Sequence, residues 1–507
     1  MTSSVTVMSD NLPEYDTPKG LETPVVNGLS ETENKYLDKM FAQLRQTRPD
    51  NYRRSRYYDG EIPLRDLGYA MPPKLKNRAA ACVGWAAKSV DMLAVRSVFD
   101  GFTFEDGNDD RLKDVVTDND LRGVYRQAVT SELTHCCVFF TVTKGDTSQG
   151  DPEVLITSYS AINATALYDV RKRRIYAGLA LVDVGDDNLP SAWNLYTDDA
   201  TIEIYKGGGK WNVTRHPNGL GRPQMEVMAY NSTIDRPFGR PRINHIVRGL
   251  ADKARVINGL ISLASELFTV PKIFLLGTDG TTFAGQDKYE TIMGSIFEIE
   301  MNSEGEKPDL GQLSQMTMEP LASVYRLLAS EFSAETDIPL QNLGILTDNP
   351  TSAEALYAGQ EGISILCERM NEQNGMALEN IARMAIAIKE NKSLAELTED
   401  ERRVHALWED TAHISAAARA DATLKQWTVL SGGNVPDVLL EKMGWSDSDR
   451  MRYREQIEND MNTSAIDAIA EAVRGSGSYY RSEGDTQMPK GDKTAATGWE
   501  VTNYDSA

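Results

Sequence analysis

The spacing of apolar residues changes at Pro241, and that change constrains the fold more than any other feature of the chain. From about residue 90 to 235 the apolar residues fall in short β-prone runs, at 98–104, 137–143, 154–157, 177–184, 192–196 and 201–205, separated by turn residues. Runs of this kind predict an antiparallel meander. After Pro241 the pattern is helical: Ile243, Ile246, Val247, Leu250, Ile257, Ile261, Ala264 and Phe268 share a face up to Pro271, where a helix must stop. Leu321, Val324, Tyr325, Leu328 and Phe332 mark a second amphipathic helix that ends near Pro339. A third, long helix over 352–390 follows Thr351-Ser-Ala-Glu354, a capping-box signature, and Gly359, Gly362 and Gly375 predict that it bends. Helices are expected at 397–408, 412–430 and 436–460 as well. Strands that precede helices, rather than alternate with them, place the chain in the α+β class.

Residues 1–30 are polar and proline-bearing and read as a flexible arm, and the Gly/Ser/Asp-rich residues 471–507 read as a disordered tail. Between arm and strands, Leu37, Met40, Phe41 and Leu44 form a helical stripe whose end and following turn carry Arg45, Arg48, Arg53, Arg54 and Arg56. A solvated helix terminus explains those arginines. Contact with nucleic acid or with an acidic neighbouring subunit is the alternative.

Charge narrows the function. With 53 Lys plus Arg against 75 Asp plus Glu in 507 residues, the net charge is -22. Such a chain cannot coat nucleic acid, because that mode draws its affinity from cations that displace phosphate counterions. The acids are unevenly spread. Residues 327–368 hold no Lys or Arg in 42 positions and seven carboxylates, and 278–318 hold eight carboxylates against Lys288 and Lys307.

Catalytic chemistry finds no foothold. The four cysteines, Cys82, Cys136, Cys137 and Cys367, build no disulfide framework. His135 beside Cys136 and Cys137 is the only His/Cys cluster, and neighbouring strand residues that point to opposite faces chelate poorly. Lys206-Gly-Gly-Gly-Lys210 misses the phosphate-loop spacing and reads as a hairpin turn, as does Arg171-Lys-Arg-Arg174. No nucleophile elbow, zinc helix or nucleotide fingerprint occurs, so no catalytic residue, metal or cofactor is assigned. The apolar stretch 256–277 is interrupted by Asn258, Glu266, Pro271 and Lys272, so no membrane span is expected.

Three motifs carry a resemblance. Arg56-Tyr-Tyr-Asp-Gly-Glu-Ile-Pro-Leu64 resembles the Tyr-Tyr-x-Gly-x-x-Pro-Leu opening of the siphophage-type portal proteins common among phages of actinobacteria. The stretch from His216 to Pro223, with Asn231 and Phe238-Gly-Arg-Pro-Arg-Ile243, resembles their strand, Asn loop and helix start, although Pro241 stands where a serine is expected. Asn349-Pro-Thr-Ser-Ala-Glu-Ala-Leu356 resembles the start of their long helix.

The resemblance, over about 33–460, implies a portal fold assembled as a ring, usually a dodecamer, at one capsid vertex of the virion, through which double-stranded DNA is packaged and ejected. It implies a wing at 31–240, a first stem helix region at 241–277, a clip at 278–318, a second stem helix at 319–337, a tunnel loop at 338–351, a long bent helix at 352–392 and a helical crown at 393–470. The expected channel lining is Glu331, Glu335, Asp337, Gln341, Asn342, Asp348, Asn349 and Glu354. Asp287, Glu290, Glu298, Glu300, Glu304 and Glu306 in the clip would meet the terminase large subunit and later the head-completion adaptor. The major capsid or scaffolding protein would be a further partner, with assembly in the host cytoplasm. A capsid-associated adaptor or scaffold without a channel would share the acidity and the lack of catalytic motifs.

Overall fold

The structure is a computed structural model that describes residues 21–62, 83–105, 109–185, 189–269, 273–276, 305, 309–312, 317–345 and 359–411, with isolated positions between 425 and 457. The chain divides into two compact units, Met1–Ala412 and His413–Ala507, and nearly all of the described residues belong to the first. The expected helices at 412–430 and 436–460, the tail, and most of 278–318 lie outside the described residues.

Helix α1 (Glu31–Asp59) begins with a capping box in which Ser30 and Glu33 exchange side-chain and backbone hydrogen bonds. Its stripe of Leu37, Met40, Phe41 and Leu44 is fully buried against Leu179, Trp193, Leu195, Ile202 and Ile204. Those residues belong to a five-stranded antiparallel meander of β4 (Ala164–Asp169), β5 (Arg174–Val184), β6 (Pro190–Tyr196), β7 (Ala200–Gly207) and β8 (Lys210–Pro217). Phe41 meets Trp193 edge to face with ring centroids 4.9 Å apart, the geometry that aromatic quadrupoles favour. The Arg171 and Lys206 stretches are hairpin tips, as the sequence predicts.

The flexible arm is corrected for residues 21–30. Val26 is buried and bridges Trp211, Leu21 and Leu29 pack against the same core, and Arg45 donates to the Leu21 carbonyl at 2.9 Å. Three apolar side chains within ten residues are enough to anchor the segment.

The sequence expectation of strands throughout 90–235 also fails in part. Helices α2 (Trp85–Ala94), α3 (Lys113–Asp118) and α4 (Leu121–His135) stand around β1 (Phe99–Phe104). Strand β2 (Cys137–Lys144) is the middle of a second antiparallel sheet, between β3 (Val154–Ser160) and β9 (Met225–Ala229). Its alternation serves two cores: Cys137 and Phe139 face β4 and β5, whereas Val138, Phe140 and Val142 face the helices. Cys136 is no strand residue, since it links α4 to β2 at φ +82°. Among the described residues no His, Cys or carboxylate cluster could hold a metal.

Helices α5 (His245–Thr269) and α6 (Glu319–Thr336) fall where the apolar spacing places them, whereas α7 (Glu361–Lys389) is a correction, since Gly359 and Gln360 form a turn and the helix that carries the apolar stripe starts after it. Strands β10 (Ile273–Leu276) and β11 (Asp309–Gln312) pair antiparallel in the insertion between α5 and α6. The expected helix at 397–408 is a correction. Only a single turn, α8 (Glu399–Arg402), forms, and β12 (Val404–Trp408) then pairs antiparallel with β1. Val404, Ala406 and Trp408 alternate with His405 and Leu407, a strand pattern, and Trp408 packs on Phe99 and Tyr125.

A polar network runs through the main core. Tyr125 and Ser97 hydroxyls lie 2.7 Å apart, Ser97 donates to Asn371 at 2.6 Å, and Asn374 Nδ2 donates to Tyr125 at 3.2 Å and to Glu132 Oε2 at 2.9 Å. It joins α4 to α7. Burial pushes the Glu132 carboxyl up to about 8, against the lowering effect of the Asn374 amide. Glu132 Oε1 and Asn374 Oδ1 are buried without a partner among the described residues, so a protonated Glu132 has an acceptor available in the same pair.

A carboxyl whose folded value lies above its unfolded value keeps its proton in the folded state, so the stability it contributes is lost as pH rises from about 4.5 toward about 8. Glu132→Gln, which cannot ionise, should therefore match the native chain near pH 5 and exceed it by a few kcal/mol at pH 8. Urea unfolding of both chains from pH 5 to 9 checks this, and a constant gap across that range would refute it.

Candidate functional site

Of the acids expected at the site, the described ones, Glu331, Glu335 and Asp337, lie on α6 or just past it, beside α5 and the start of α7. Asn244 caps α5, accepting from the Val247 N–H at 2.8 Å. Ile243 just before α5, Val247, Leu250, Ala251 and Ala254 on α5 and Leu328, Ala329 and Phe332 on α6 are buried, and Trp85 of α2 wedges between Tyr325 and Phe332 with centroids 5.3 and 5.1 Å away. The other side of the pair is open. A groove of about 610 Å³ runs between them, lined by His245, Ile246, Gly249, Leu250 and Lys253 from α5 and by Glu331, Ala334 and Glu335 from α6.

Glu331 and Glu335, one turn apart, are both exposed on that groove, and Glu335 accepts from Asn244 Nδ2 at 3.4 Å. Asp337 is exposed, sits at φ +54° just past α6, and lies against the first turn of α7: a Cβ placed on Gly362 would stand 3.6–3.9 Å from its side chain. A carboxylate beside a helix N-terminus is electrostatically favoured, which suits Asp337 to that position. Gln341 and Asn342 are half-buried in a 3-10 turn (Leu340–Leu343). Asp348, Asn349 and Glu354 lie outside the described residues, as do Asp287, Glu290, Glu298, Glu300, Glu304 and Glu306.

Arg242, which the sequence did not single out as a functional residue, sets the position of this region. Its side chain is 8% exposed. Nε donates to the Ser89 carbonyl at 3.2 Å, Nη1 to the Tyr230 hydroxyl at 3.2 Å, and Nη2 to the Thr336 carbonyl at the end of α6, while its backbone N–H donates to Leu133 at 2.7 Å. One guanidinium thus ties α2 and the segment after β9 to the C-terminus of α6, the end where a cation is favoured, and the backbone N–H of the same residue adds α4. The preceding Gly239 has φ +72°, and a Cβ there would stand 2.2 Å from the Tyr230 carbonyl, so no other residue fits.

The Tyr57–Tyr58 pair gains a physical meaning too. Tyr57 donates to Asp252 on α5 at 2.7 Å and Tyr58 to Asp91 on α2 at 2.8 Å, while Gly60 at φ +73° turns the chain out of α1. The motif is a brace between α1 and the two helices beside it. The arginines likewise are all inside α1, not in a turn after it, and Arg48 and Arg56 are buried, which a solvated terminus does not explain.

The family described as Phage portal protein, SPP1 Gp6-like, matches residues 37–459, most of the chain. The chain belongs to the phage portal family. Portal proteins of Mycobacterium phage L5 and Mycobacterium phage D29 are each 25% identical to it, the first over 86% of this chain and 91% of the relative, the second over 80% and 84%. Among solved structures, a chain from the virion of a native gene transfer agent particle overlaps 78% of this portal chain at 12% identity with a TM-score of 0.40, and one from the neck of that particle, computed with C12 symmetry, gives 0.38. The mixed helix and sheet architecture is a portal fold, and a portal protein forms the passage for double-stranded DNA at one capsid vertex. The family is structural. No helix among the described residues is long and apolar enough to cross a membrane.

Arg242→Lys, which keeps the charge but cannot fork to three acceptors, should leave buried carbonyl groups unpaired and cost about 2–4 kcal/mol. Urea unfolding measures it. A loss below about 0.5 kcal/mol would show that the fork is dispensable.

Proposed function

We propose that this portal chain closes into a dodecameric ring in which the exposed carboxylates of α6, Glu331 and Glu335, face the DNA passage, with Asp348, Asn349 and Glu354 continuing the lining beyond them. The reading rests on one observation: residues 327–368 hold no Lys or Arg, and the carboxylates at 331 and 335 stand on one exposed helix face. A duplex that slides must not be held. Each phosphate neutralised by a fixed cation contributes binding that a motor has to break, and the stretch 327–368 adds no such cation, Lys253 of α5 being the one lysine that lines the groove beside it.

On this reading residues 31–240 form the wing, α5 and α6 the stem, 338–351 the tunnel loop, 352–392 the long helix and 393–470 the crown. The acid-rich insertion 278–318 forms the clip, which docks the terminase large subunit and then the head-completion adaptor. The ring joins the major capsid or scaffolding protein during assembly in the host cytoplasm, and the chain has no catalytic activity of its own.

Placing Lys at both Glu331 and Glu335 tests the lining. Rings that still form, verified by electron microscopy, should translocate DNA several-fold more slowly in an in vitro packaging assay, with the defect relieved as salt rises. Unchanged packaging at low salt would remove these two residues from the passage.

A further inference from the structure

We propose that the guanidinium cluster of Arg53, Arg54 and Arg248 docks the exposed acidic stripe of α7, Glu361, Glu368 and Glu372, from a second copy of this chain. The proposal rests on the ring reading above and names a contact that closes the ring. Three arginines converge where the end of α1 meets the start of α5, in a chain of net charge -22. Burial, then the neighbouring Arg54 and Arg53, lower the Arg248 guanidinium below its usual range, with Tyr57 and Asp50 opposing. Among the described residues Arg53 has one ion pair, to Asp50 at 3.3 Å, and Arg54 and Arg248 have none. Arg54 Nε is buried with no partner among them. The cluster has more positive charge than its own chain neutralises.

The stripe on α7 has the opposite excess. Glu361, Glu368 and Glu372 are exposed and form no ion pair among the described residues; Glu368 accepts from the Thr411 hydroxyl at 3.2 Å, Arg369 is exposed beside them, and the buried Arg96 is bound to Gln360 at the helix start. Ile365 and Met376 on the same face are 55% and 61% exposed, although the rest of the helix is core. Exposed apolar side chains among carboxylates fit a protein surface better than a phosphate backbone. A ring requires two different, complementary patches on each chain, and these lie on separate elements.

The test uses the full chain in three forms: Arg53→Glu with Arg248→Glu, Glu368→Arg with Glu372→Arg, and all four together. Mass photometry should show the ring population falling at least about tenfold in each pair of reversals and recovering to within about threefold when they are combined. Thermal unfolding identifies any variant that fails to fold, and the milder Arg53→Gln and Glu372→Gln, which should each shift assembly toward higher protein concentration, then decide the matter. Rings indifferent to either reversal, or a combined variant no better than the single faces, overturn the contact while leaving the ring intact. Reversed arginines that keep rings but lose affinity for a duplex fragment overturn it in favour of DNA. A native chain that stays monomeric at every concentration overturns the ring reading itself, and the contact with it.

Discussion

One buried guanidinium holds the helical half of the molecule to the sheet half. Arg242 is the residue at which the β-rich part of the chain ends, and its side chain reaches the last carbonyl of α6, the Ser89 carbonyl and the Tyr230 hydroxyl from a position almost closed to solvent. A charge so buried is costly unless each nitrogen finds an oxygen, and here three acceptors, on α2, on α6 and just after β9, meet that demand. The direction of α6 follows from it, and with it the face on which Glu331 and Glu335 stand. Gly239 three residues earlier is part of the same constraint, because its backbone conformation and close approach to Tyr230 bring Arg242 into place.

How much of this the sequence showed depends on what each residue contacts. The stripe of α1 and the apolar faces of α5, α6 and α7 were legible because a single flank of each helix meets one core, and period alone describes that. Helix α4 was missed because Cys137 to Thr143 dominated the reading of its neighbourhood, and because Glu132 interrupts an otherwise apolar face of Leu121, Tyr125, Val129 and Leu133. That interruption was itself a signal: a carboxyl on a core stripe needs a partner, and Asn374 supplies it from α7. Strand β12 was read as a helix since its five residues acquire their structure from β1, which no local pattern reports.

The acids had a similar fate. Their clustering over 327–368 was visible in composition, but composition treats alike a carboxylate on an open groove and one against a helix terminus. Glu331 and Asp337 differ in just this way. The arginines of α1 divide as well, with Arg48 and Arg56 inside the fold and Arg53 outside it. Polar residues on a helix acquire separate functions only when the surrounding chain has taken its position.

The pairing of β1 with β12 places a clock in the molecule. The two strands are separated by about three hundred residues, and β1 has no other strand partner among the described residues. On the ribosome, the five-stranded meander can assemble early, since each of its strands pairs with the next one in sequence. The main core cannot close, because Val404 and Trp408 have yet to be made, and Phe99 and Tyr125 stay uncovered until then. Completion of this core is thus tied to translation of β12, the last of the described strands, by which point nearly the whole first unit has been made.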